Sequence, residues 1–328
     1  MDQKVPAKPS AFRLRGIFAI LHLMAKKNSL SAVISVYNGE KVLEDCLKSV
    51  AFAEEIIVIE NSSTDRTPEI AKRYTDKIFT RINNPMLNIN KNFGFSKASG
   101  DWILCLDADE RVTPELGDEI RNLKLDNNGK INGYWIPRKN IIFGKWIEHT
   151  GWYPDYQLRL FKKNKGKFLE KHVHEMIQVN GETEYLKNNL LHYNYSSISE
   201  FLGKLNIYVS NEAGQLIANG YEFKWQDAIA VPVKEFLSRY FAREGYKDGF
   251  HGLMLSFLMA FYHLLVIATV WEERDFEKIE ISVDKEIKGE FKKAYRDLMY
   301  WIADEKIKRI KNPFKRTYYK ILRKIHAK

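Results

Sequence analysis

Two carboxylates that could bind a metal follow directly after a run of apolar residues. Trp102 to Leu106 are five apolar residues in succession, and Asp107 and Asp109 come next, with Glu110 beside them. Such a run is typical of a strand buried on both faces. Side chains alternate along an extended chain, so the two aspartates are expected on the same side, where they could hold a divalent cation that bridges a nucleotide diphosphate. The alternative is an ordinary acidic turn before a helix, because Asp-x-Asp is a short pattern.

The chain that leads to these aspartates alternates between strand and helix patterns. Apolar runs predict strands at 30–36, 55–59, 77–80 and 101–106, with helices predicted at 42–50, 67–74 and 90–99. This alternation predicts an α/β fold with a mostly parallel, doubly wound sheet. Ligands bind beyond the carboxyl ends of the strands in such sheets, which is where the polar segments of this chain fall.

Two of these polar segments are loops that follow the first and second predicted strands. The first is Ser-Val-Tyr-Asn-Gly-Glu at 35–40, and the second is Glu-Asn-Ser-Ser-Thr-Asp-Arg-Thr at 60–67. Their structural interpretations are an Asn-Gly turn and a helix start capped by Asp65 or a hydroxyl, with Pro68 early in the helix. Capping does not exclude ligand binding, because the amides of a helix start also favour an anion.

The order of these segments resembles the family 2 glycosyltransferases with the GT-A fold. The similar pieces are the 35–38 and 57–67 segments, Asn-Lys-Asn at 90–92 and Leu-Asp-Ala-Asp-Glu at 106–110. Trp-Tyr-Pro-Asp-Tyr-Gln-Leu-Arg-Leu-Phe at 152–161 and His-Val-His-Glu at 172–175 resemble the bacterial subgroup that builds lipopolysaccharide core and related envelope glycans. The resemblance extends over residues 30–275, and the combined order is more specific than any single piece.

The resemblance implies a nucleoside pocket built from the first two loops. Ser35 and Tyr37 would line it. Glu60 stands where the family usually has an aspartate that contacts the base or ribose, and Asn61 replaces a second acid found in many members. Asp65 would complete this loop, partly as a helix cap.

The resemblance also implies the groups that bind the diphosphate and the metal. Lys91 and Asn92 lie where the family approaches the nucleotide-sugar, and Asp107 and Asp109 match its metal-diphosphate motif. The implied cofactor is a divalent cation, Mn²⁺ or Mg²⁺. Some enzymes with the GT-A fold use a late histidine as a further metal ligand, and His174 is the candidate here.

Inverting transfer, which the resemblance implies, needs a carboxylate that takes the proton of the acceptor hydroxyl. Asp155 is the first choice for this base and Glu175 the second. Arg159 could neutralise a phosphate or pair with a carboxylate of the fold, and the sequence does not decide between these roles.

The charge distribution indicates a membrane surface as a partner. The ten Lys and Arg residues after Glu305 account for the whole formal net charge of +10. Apolar residues are interleaved with them at near-helical spacing, and a basic amphipathic helix favours an anionic membrane over nucleic acid. A second amphipathic helix is predicted at 11–25, and it would lie in the membrane interface or dock on the body of the protein. Cys46 and Cys105 lie in apolar patterns and look like buried thiols, so a reducing compartment is expected.

The sequence divides into three predicted regions. These are an N-terminal basic amphipathic helix within 1–28, a GT-A catalytic domain over 29–195 and a helical membrane-associating region over 196–328. Residues 253–271 contain no Asp, Glu, Lys or Arg, a length at the lower limit for a membrane span. A helix in the membrane interface or buried in the helical region is preferred, because a single span would put the basic tail on the opposite side from the N-terminal basic residues.

The predicted activity is an inverting, metal-dependent glycosyltransferase. It would move a sugar from a nucleotide-sugar to a lipid-linked glycan at the cytoplasmic face of the membrane. A UDP-sugar is the preferred candidate for the donor. The alternatives are transfer to polyprenyl phosphate and a non-catalytic membrane-bound sugar-binding module.

Overall fold

The structure is a computed structural model of the 328-residue chain, and it describes residues 29–84, 86–123, 130–170 and 175–327. The helix predicted at 11–25, the predicted N-terminal region over residues 1–28 and the metal-ligand candidate His174 lie outside the described residues.

The elements follow the α/β order predicted up to residue 107 and turn helical after residue 197. The strands are β1 Leu30–Val36, β2 Glu55–Glu60, β3 Ile78–Thr80, β4 Trp102–Asp107, β5 Glu110–Val112, β6 Ile131–Ile142, β7 Lys145–Trp146, β8 Asp155–Lys162, β9 Gly166–Lys167, β10 Gln178–Val179, β11 Glu182–Tyr185 and β12 Leu190–Tyr195. The α-helices are α1 Leu43–Ser49, α2 Thr67–Ala71, α3 Leu87–Lys97, α4 Pro114–Asn122, α5 Ile198–Ala218, α6 Asp227–Leu237, α7 Phe250–Glu272, α8 Lys288–Arg309 and α9 Pro313–His326. Shorter helical turns lie at Ser238–Ala242, Gly245–Asp248 and Val283–Ile287.

These elements form two compact units. The first unit holds the described residues up to Ala108 together with 114–136 and 158–186, and the second holds 109–113, 137–157 and the residues from Lys187 onward. Strands β6 and β8 contribute residues to both units. The division into a catalytic domain over 29–195 and a helical region over 196–328 stays a prediction, because a compact unit is not by itself a catalytic domain.

A parallel sheet forms the centre of the first unit. Its strand order is β3-β2-β1-β4, and all three pairings are parallel. The chain moves outward from β1 to β3 and then returns to the other side of β1, so the order reverses between β1 and β4, where ligands bind in such sheets. Residues 160–162 of β8 pair with β4 in the antiparallel direction. The prediction of a doubly wound, mostly parallel sheet is confirmed for these first four strands.

Apolar residues on one face of this sheet pack against α3. Val33, Ile59 and Phe161 are at most 1% exposed. A Cβ atom at Gly94 of α3 would lie 2.6 Å from Val33 Cγ1 and 2.9 Å from Ile59 Cγ1. Glycine therefore lets α3 approach the sheet closely, and this approach positions the polar residues of its first turns.

The second unit joins a small mixed sheet to the C-terminal helices. Residues 138–142 of β6 run parallel to β12, and β12 runs antiparallel to β5. The side chain of Ser197 caps α5 by accepting a hydrogen bond from the Glu200 amide, 3.1 Å away. Ile142, Ile147, Phe201, Leu255 and Val266 belong to one buried cluster that packs β6 and the 147 segment against α5 and α7. Within the described ranges, one helix, α7, is long and apolar enough to cross a membrane by length and composition.

One detail of the sequence argument is wrong. β4 ends at Asp107, and the chain turns at Ala108 and Asp109 before β5 begins at Glu110. The alternation of side chains along an extended strand therefore does not apply to Asp109. The two cysteines are buried as predicted, at 0% and 1% exposure.

Candidate active site

The Asp107 carboxylate, at the carboxyl end of β4, forms ion pairs with the side chains of Lys91 and Arg159. Strand register places it opposite Ser35 of β1. Its Oδ1 lies 2.5 Å from Lys91 Nζ, and its Oδ2 lies 2.6 Å from Arg159 Nη2. The Lys91 and Arg159 side chains are only 10% and 7% exposed, whereas that of Asp107 is 31% exposed. Of the two roles left open for Arg159, the structure shows pairing with a carboxylate.

These contacts keep Asp107 ionised. Burial favours the neutral acid, but Lys91 and Arg159 outweigh it by charge and by hydrogen bonding, and they hold the pKa of Asp107 far below its usual range. The group is therefore a carboxylate at any physiological pH. It can ligate a hard cation without first losing a proton.

A chain of amide side chains lies beside this carboxylate at the ends of β1 and β2. Asn61 Nδ2 donates to Ser35 Oγ at 3.0 Å, and Asn61 Oδ1 accepts from Asn90 Nδ2 at 2.7 Å. Asn90 Nδ2 also donates to the carbonyl oxygen of Ile82 at 2.9 Å. Because a backbone carbonyl only accepts, this contact fixes the orientation of the Asn90 amide and, through it, that of Asn61. Ser35 Oγ accepts in this chain, so its hydroxyl proton can be donated to a ligand.

The first two loops are tied to each other by hydrogen bonds. The backbone amide of Asn38 donates to Ser63 Oγ at 3.0 Å, and the side-chain Oδ1 of Asn38 accepts from the backbone amide of Thr64 at 2.8 Å. Asp65 accepts from the Glu40 amide at 3.0 Å. Asn38 has a φ of 47°, in the left-handed region that asparagine tolerates. The loops thus form one structure at the carboxyl end of the sheet.

The remaining predicted nucleoside residues have different environments. Tyr37 is 46% exposed, whereas Glu60 is 3% exposed and accepts from the Ser63 amide at 2.5 Å. Asp65 also accepts from the Thr67 amide at 3.0 Å. The N-cap of α2 is nevertheless Arg66, with no capping hydrogen bond from its side chain, so the prediction of Asp65 as the cap residue is wrong. The nucleoside contacts of Tyr37, Glu60 and Asp65 stay predictions.

Asn92 is engaged by a neighbouring segment of the first unit. Its Nδ2 donates to the Phe168 carbonyl oxygen at 2.9 Å and to Glu170 Oε1 at 2.7 Å, and its Oδ1 accepts from the Phe168 amide at 3.0 Å. This pattern anchors the 168–170 segment to α3. A contact between Asn92 and a nucleotide-sugar stays a prediction.

Asp155, the first-choice base, lies in a hydrogen-bonded network of the second unit. Its Oδ2 accepts from Arg138 Nη2 at 2.5 Å and from Asn140 Nδ2 at 3.2 Å, while Oδ1 accepts from Gln157 Nε2 at 2.9 Å. Arg138 Nη1 also donates to the buried Glu110 Oε1 at 3.0 Å. Burial would raise the pKa of Asp155, but Arg138 and the two amides lower it below its usual value. Such a carboxylate is a weak base while these contacts hold.

His192 faces Asp109 in the same unit. Asn140 Nδ2 donates to the Trp152 carbonyl oxygen at 2.8 Å as well as to Asp155, so Asn140 Oδ1 must be the atom that faces His192 Nδ1 at 2.7 Å. His192 Nδ1 therefore carries a proton. His192 Nε2 lies 3.6 Å from Asp109 Oδ2. With a proton on Nε2 the two groups form an ion pair, and without it they offer an imidazole and a carboxylate ligand to a divalent cation.

Glu175, the second-choice base, accepts from the Glu170 amide at 2.8 Å. In residues 29–84, 86–123, 130–170 and 175–327, no group of three or more His, Cys, Asp or Glu side chains is arranged to hold a metal. The Asp107 carboxylate has the oxygen donors that Mn²⁺ or Mg²⁺ prefers, and metal binding stays a proposal.

Residues 31–181 match the family model described as Glycosyl transferase family 2. This segment, just under half of the chain, is similar to glycosyltransferase family 2. It is 29% identical over 258 residues to the uncharacterised glycosyltransferase RT0209 of Rickettsia typhi, covering 74% of this chain and 87% of the relative. It is 27% identical over 255 residues to the lipopolysaccharide core biosynthesis glycosyltransferase LpsC of Rhizobium meliloti, covering 76% of this chain and 94% of LpsC. Mannosyltransferase PcManGT from Pyrobaculum calidifontis, solved with GDP-Man and Mn²⁺, is a structural neighbour at 12% identity and a TM-score of 0.41, covering 96% of this chain and 91% of that one.

The parallel sheet near the start of the described residues and the helices at their end agree with the expected α/β class. The sequence assigned no role to Arg138, Asn140 or His192, which the structure places in the network of the second unit, and it included Asn90 only as part of the Asn-Lys-Asn segment at 90–92. Each lies in a segment whose pattern indicates only a helix or a strand. His192, for example, follows two leucines in β12 and resembles an ordinary strand residue.

Proposed function

We propose that this glycosyltransferase moves a sugar from a UDP-sugar to a lipid-linked glycan, such as lipopolysaccharide core, with inversion and with Mn²⁺ or Mg²⁺ as cofactor. The reaction would take place at the cytoplasmic face of the membrane. The observation that carries the proposal is the ionised Asp107 between Lys91 and Arg159, at the strand end opposite Ser35.

The charges of this cluster suit a nucleotide diphosphate. Asp107 would be a protein ligand of the cation. Lys91 and Arg159 would supply two positive charges for the diphosphate. The cation, when bound, supplies charge that stabilises the leaving diphosphate.

The amide chain supports a nucleoside site beside the diphosphate. Because Asn61 donates to Ser35 Oγ, the hydroxyl proton of Ser35 can be donated to a carbonyl or ribose oxygen of the nucleotide. Tyr37 is exposed nearby along the chain and offers an aromatic face to a base. These features agree with a nucleotide-sugar donor and do not depend on which sugar it carries.

The base of the reaction is Asp155 or Glu175. Asp155 would accept a proton from the acceptor hydroxyl once its contacts with Arg138 loosen, because these contacts lower its pKa. The name of the relative LpsC supports a lipopolysaccharide-type acceptor.

Release of the nucleoside diphosphate tests the proposal. Purified full-length protein in detergent would be given UDP-, GDP- or dTDP-sugars with extracted lipopolysaccharide as acceptor, in Mn²⁺, Mg²⁺ or EDTA. We expect metal-dependent release of UDP, and a loss of about 10²-fold or more in Asp107→Asn. Asp118→Asn is the matched control, because Asp118 is 65% exposed and pairs with Arg121 on its own helix. Full turnover in EDTA would contradict the metal role, and full turnover of Asp107→Asn would contradict the site.

A further inference from the structure

We propose that the second unit binds the surface of an anionic lipid bilayer through exposed apolar stripes on α7 and α9, with α7 lying in the membrane plane. This inference deepens the proposed function, on which it rests for its biological purpose, by naming the surface that holds the enzyme near its lipid-linked acceptor. The binding itself can be measured without turnover.

One side of α7 is an exposed apolar stripe. Phe250, Phe257, Phe261 and Trp271 are 72%, 52%, 44% and 37% exposed. They are spaced by 7, 4 and 10 residues, which places them on one side of the helix. The stripe is about 32 Å long from Phe250 to Trp271. No Asp, Glu, Lys or Arg occurs from Phe250 to Trp271.

The opposite side of α7 is buried in the second unit. Leu255 and Ser256 are fully buried, and Val266 is 1% exposed. His263 also lies on this side, with Nδ1 3.6 Å from Glu212 Oε1 of α5 and Nε2 3.7 Å from Glu235 Oε1 of α6. A spanning α7 would draw these acidic partners into hydrocarbon at a high cost. Insertion of one side only, in the plane of the interface, avoids that cost.

A second exposed stripe lies on α9. Phe314, Tyr318, Ile321 and Ile325 are 86%, 60%, 55% and 63% exposed and recur every three or four residues. Another side of α9 is anchored to α8, where Arg323 Nη1 lies 2.6 Å from Asp304 Oδ1. The stripe is therefore held outward by a helix that is fixed to the unit.

The charge of α9 identifies an anionic bilayer as the partner. The helix carries five Lys and Arg residues and no acidic residue. By helical spacing Lys315 and Lys324 flank the apolar stripe, one on each side, so their stems can follow it while their ammonium groups reach lipid phosphates. Aromatic residues with flanking cations are the composition of helices that lie in a membrane interface.

Vesicle flotation tests this inference with the full-length protein. The vesicles would be phosphatidylcholine alone or phosphatidylcholine with phosphatidylglycerol. The variants are Phe250→Glu/Phe261→Glu on α7 and Ile321→Glu/Ile325→Glu on α9. The matched control is Ile207→Glu on α5, where the isoleucine is 61% exposed. Thermal unfolding would establish that each variant is folded.

We expect the wild type to float with the anionic vesicles only, and each double variant to bind them at least tenfold more weakly while Ile207→Glu binds normally. Equal binding to both vesicle types, no binding to either, or an equal loss in the control would overturn the inference. A dimer in light scattering that both double variants dissociate, without vesicle binding, would assign the stripes to a second copy of the chain and overturn it too. None of these results alters UDP release in detergent, so failure of this inference and failure of the proposed function are distinguishable.

Discussion

The substitution Asp107→Asn probes the centre of the candidate site even without ligand. It keeps the side-chain shape and removes the negative charge. Lys91 Nζ and Arg159 Nη2 lie 2.5 and 2.6 Å from the two carboxylate oxygens, and both cations are nearly buried. The variant therefore leaves two buried cations facing a neutral amide.

The expected loss of stability can be worked out from these contacts. Removing one partner of a buried ion pair costs about 3–5 kcal/mol. Asp107 is 31% exposed, so water can solvate part of the site, and the loss should be lower, about 2–3 kcal/mol. For a unit of this size each kcal/mol lowers Tm by about 2–4 °C, which gives a decrease of about 4–12 °C.

Urea and thermal unfolding at pH 7 measure this loss, with Asp118→Asn as the control. Asp118 is 65% exposed, so its surface pair should contribute no more than about 0.5 kcal/mol. If Asp107→Asn unfolds at the same urea concentration and the same temperature as this control, the reasoning is refuted. The buried Lys91 and Arg159 would then not need the carboxylate for stability.

The pH dependence gives an independent check. Lys91 and Arg159 hold the folded pKa of Asp107 below its ordinary value of 3.8 despite burial. A depressed pKa contributes stability that is complete above the unfolded pKa and is lost as the pH falls below it. The difference in free energy of unfolding between wild type and Asp107→Asn should therefore become smaller as the pH is lowered below 3.8. An increase in this difference would contradict the assignment.

Three further results are expected. Asn90→Ala should cost about 1–3 kcal/mol in urea unfolding and weaken UDP binding in calorimetry, because the buried Asn61 Oδ1 loses its donor. Burial raises the pKa of Glu55, but hydrogen bonds from Lys77 and two serines outweigh it and lower the pKa to about 2. The loss of stability in Glu55→Gln should therefore be complete above pH 4.5 and should disappear as the pH falls towards 2, which acid unfolding measures. Whichever of Asp155→Asn and Glu175→Gln removes the base should lower kcat by about 10²-fold or more, while the other should change mainly KM.

The sequence determined the class of fold and the residue at its centre. The apolar run before Asp107 is typical of a strand in a sheet covered on both faces, and the order of segments at 35–38, 57–67, 90–92 and 106–110 carried the resemblance to the family. Strand and helix periodicity is a local property, so it is visible before folding. The bounds differed by a few residues where turns intervene, as at Ala71, where α2 ends before the predicted residue 74.

Tertiary structure decided which polar residues act together. Lys91 and Arg159 are far from Asp107 in sequence, and only the packing of α3 and β8 in the first unit brings both to its carboxylate. His192 had no signal of its own, and the Asn-Lys-Asn segment did not indicate that Asn90 would bind Asn61, because a polar residue in a helix or strand pattern does not indicate its partner.

The same distinction holds for the C-terminal helices. Sequence alone predicted apolar and basic segments, since composition is sufficient for that. It could not decide which side of α7 is covered, because this depends on His263 meeting acids of α5 and α6. Local pattern therefore specified the elements and their chemistry, and only long-range packing specified the networks and exposed faces.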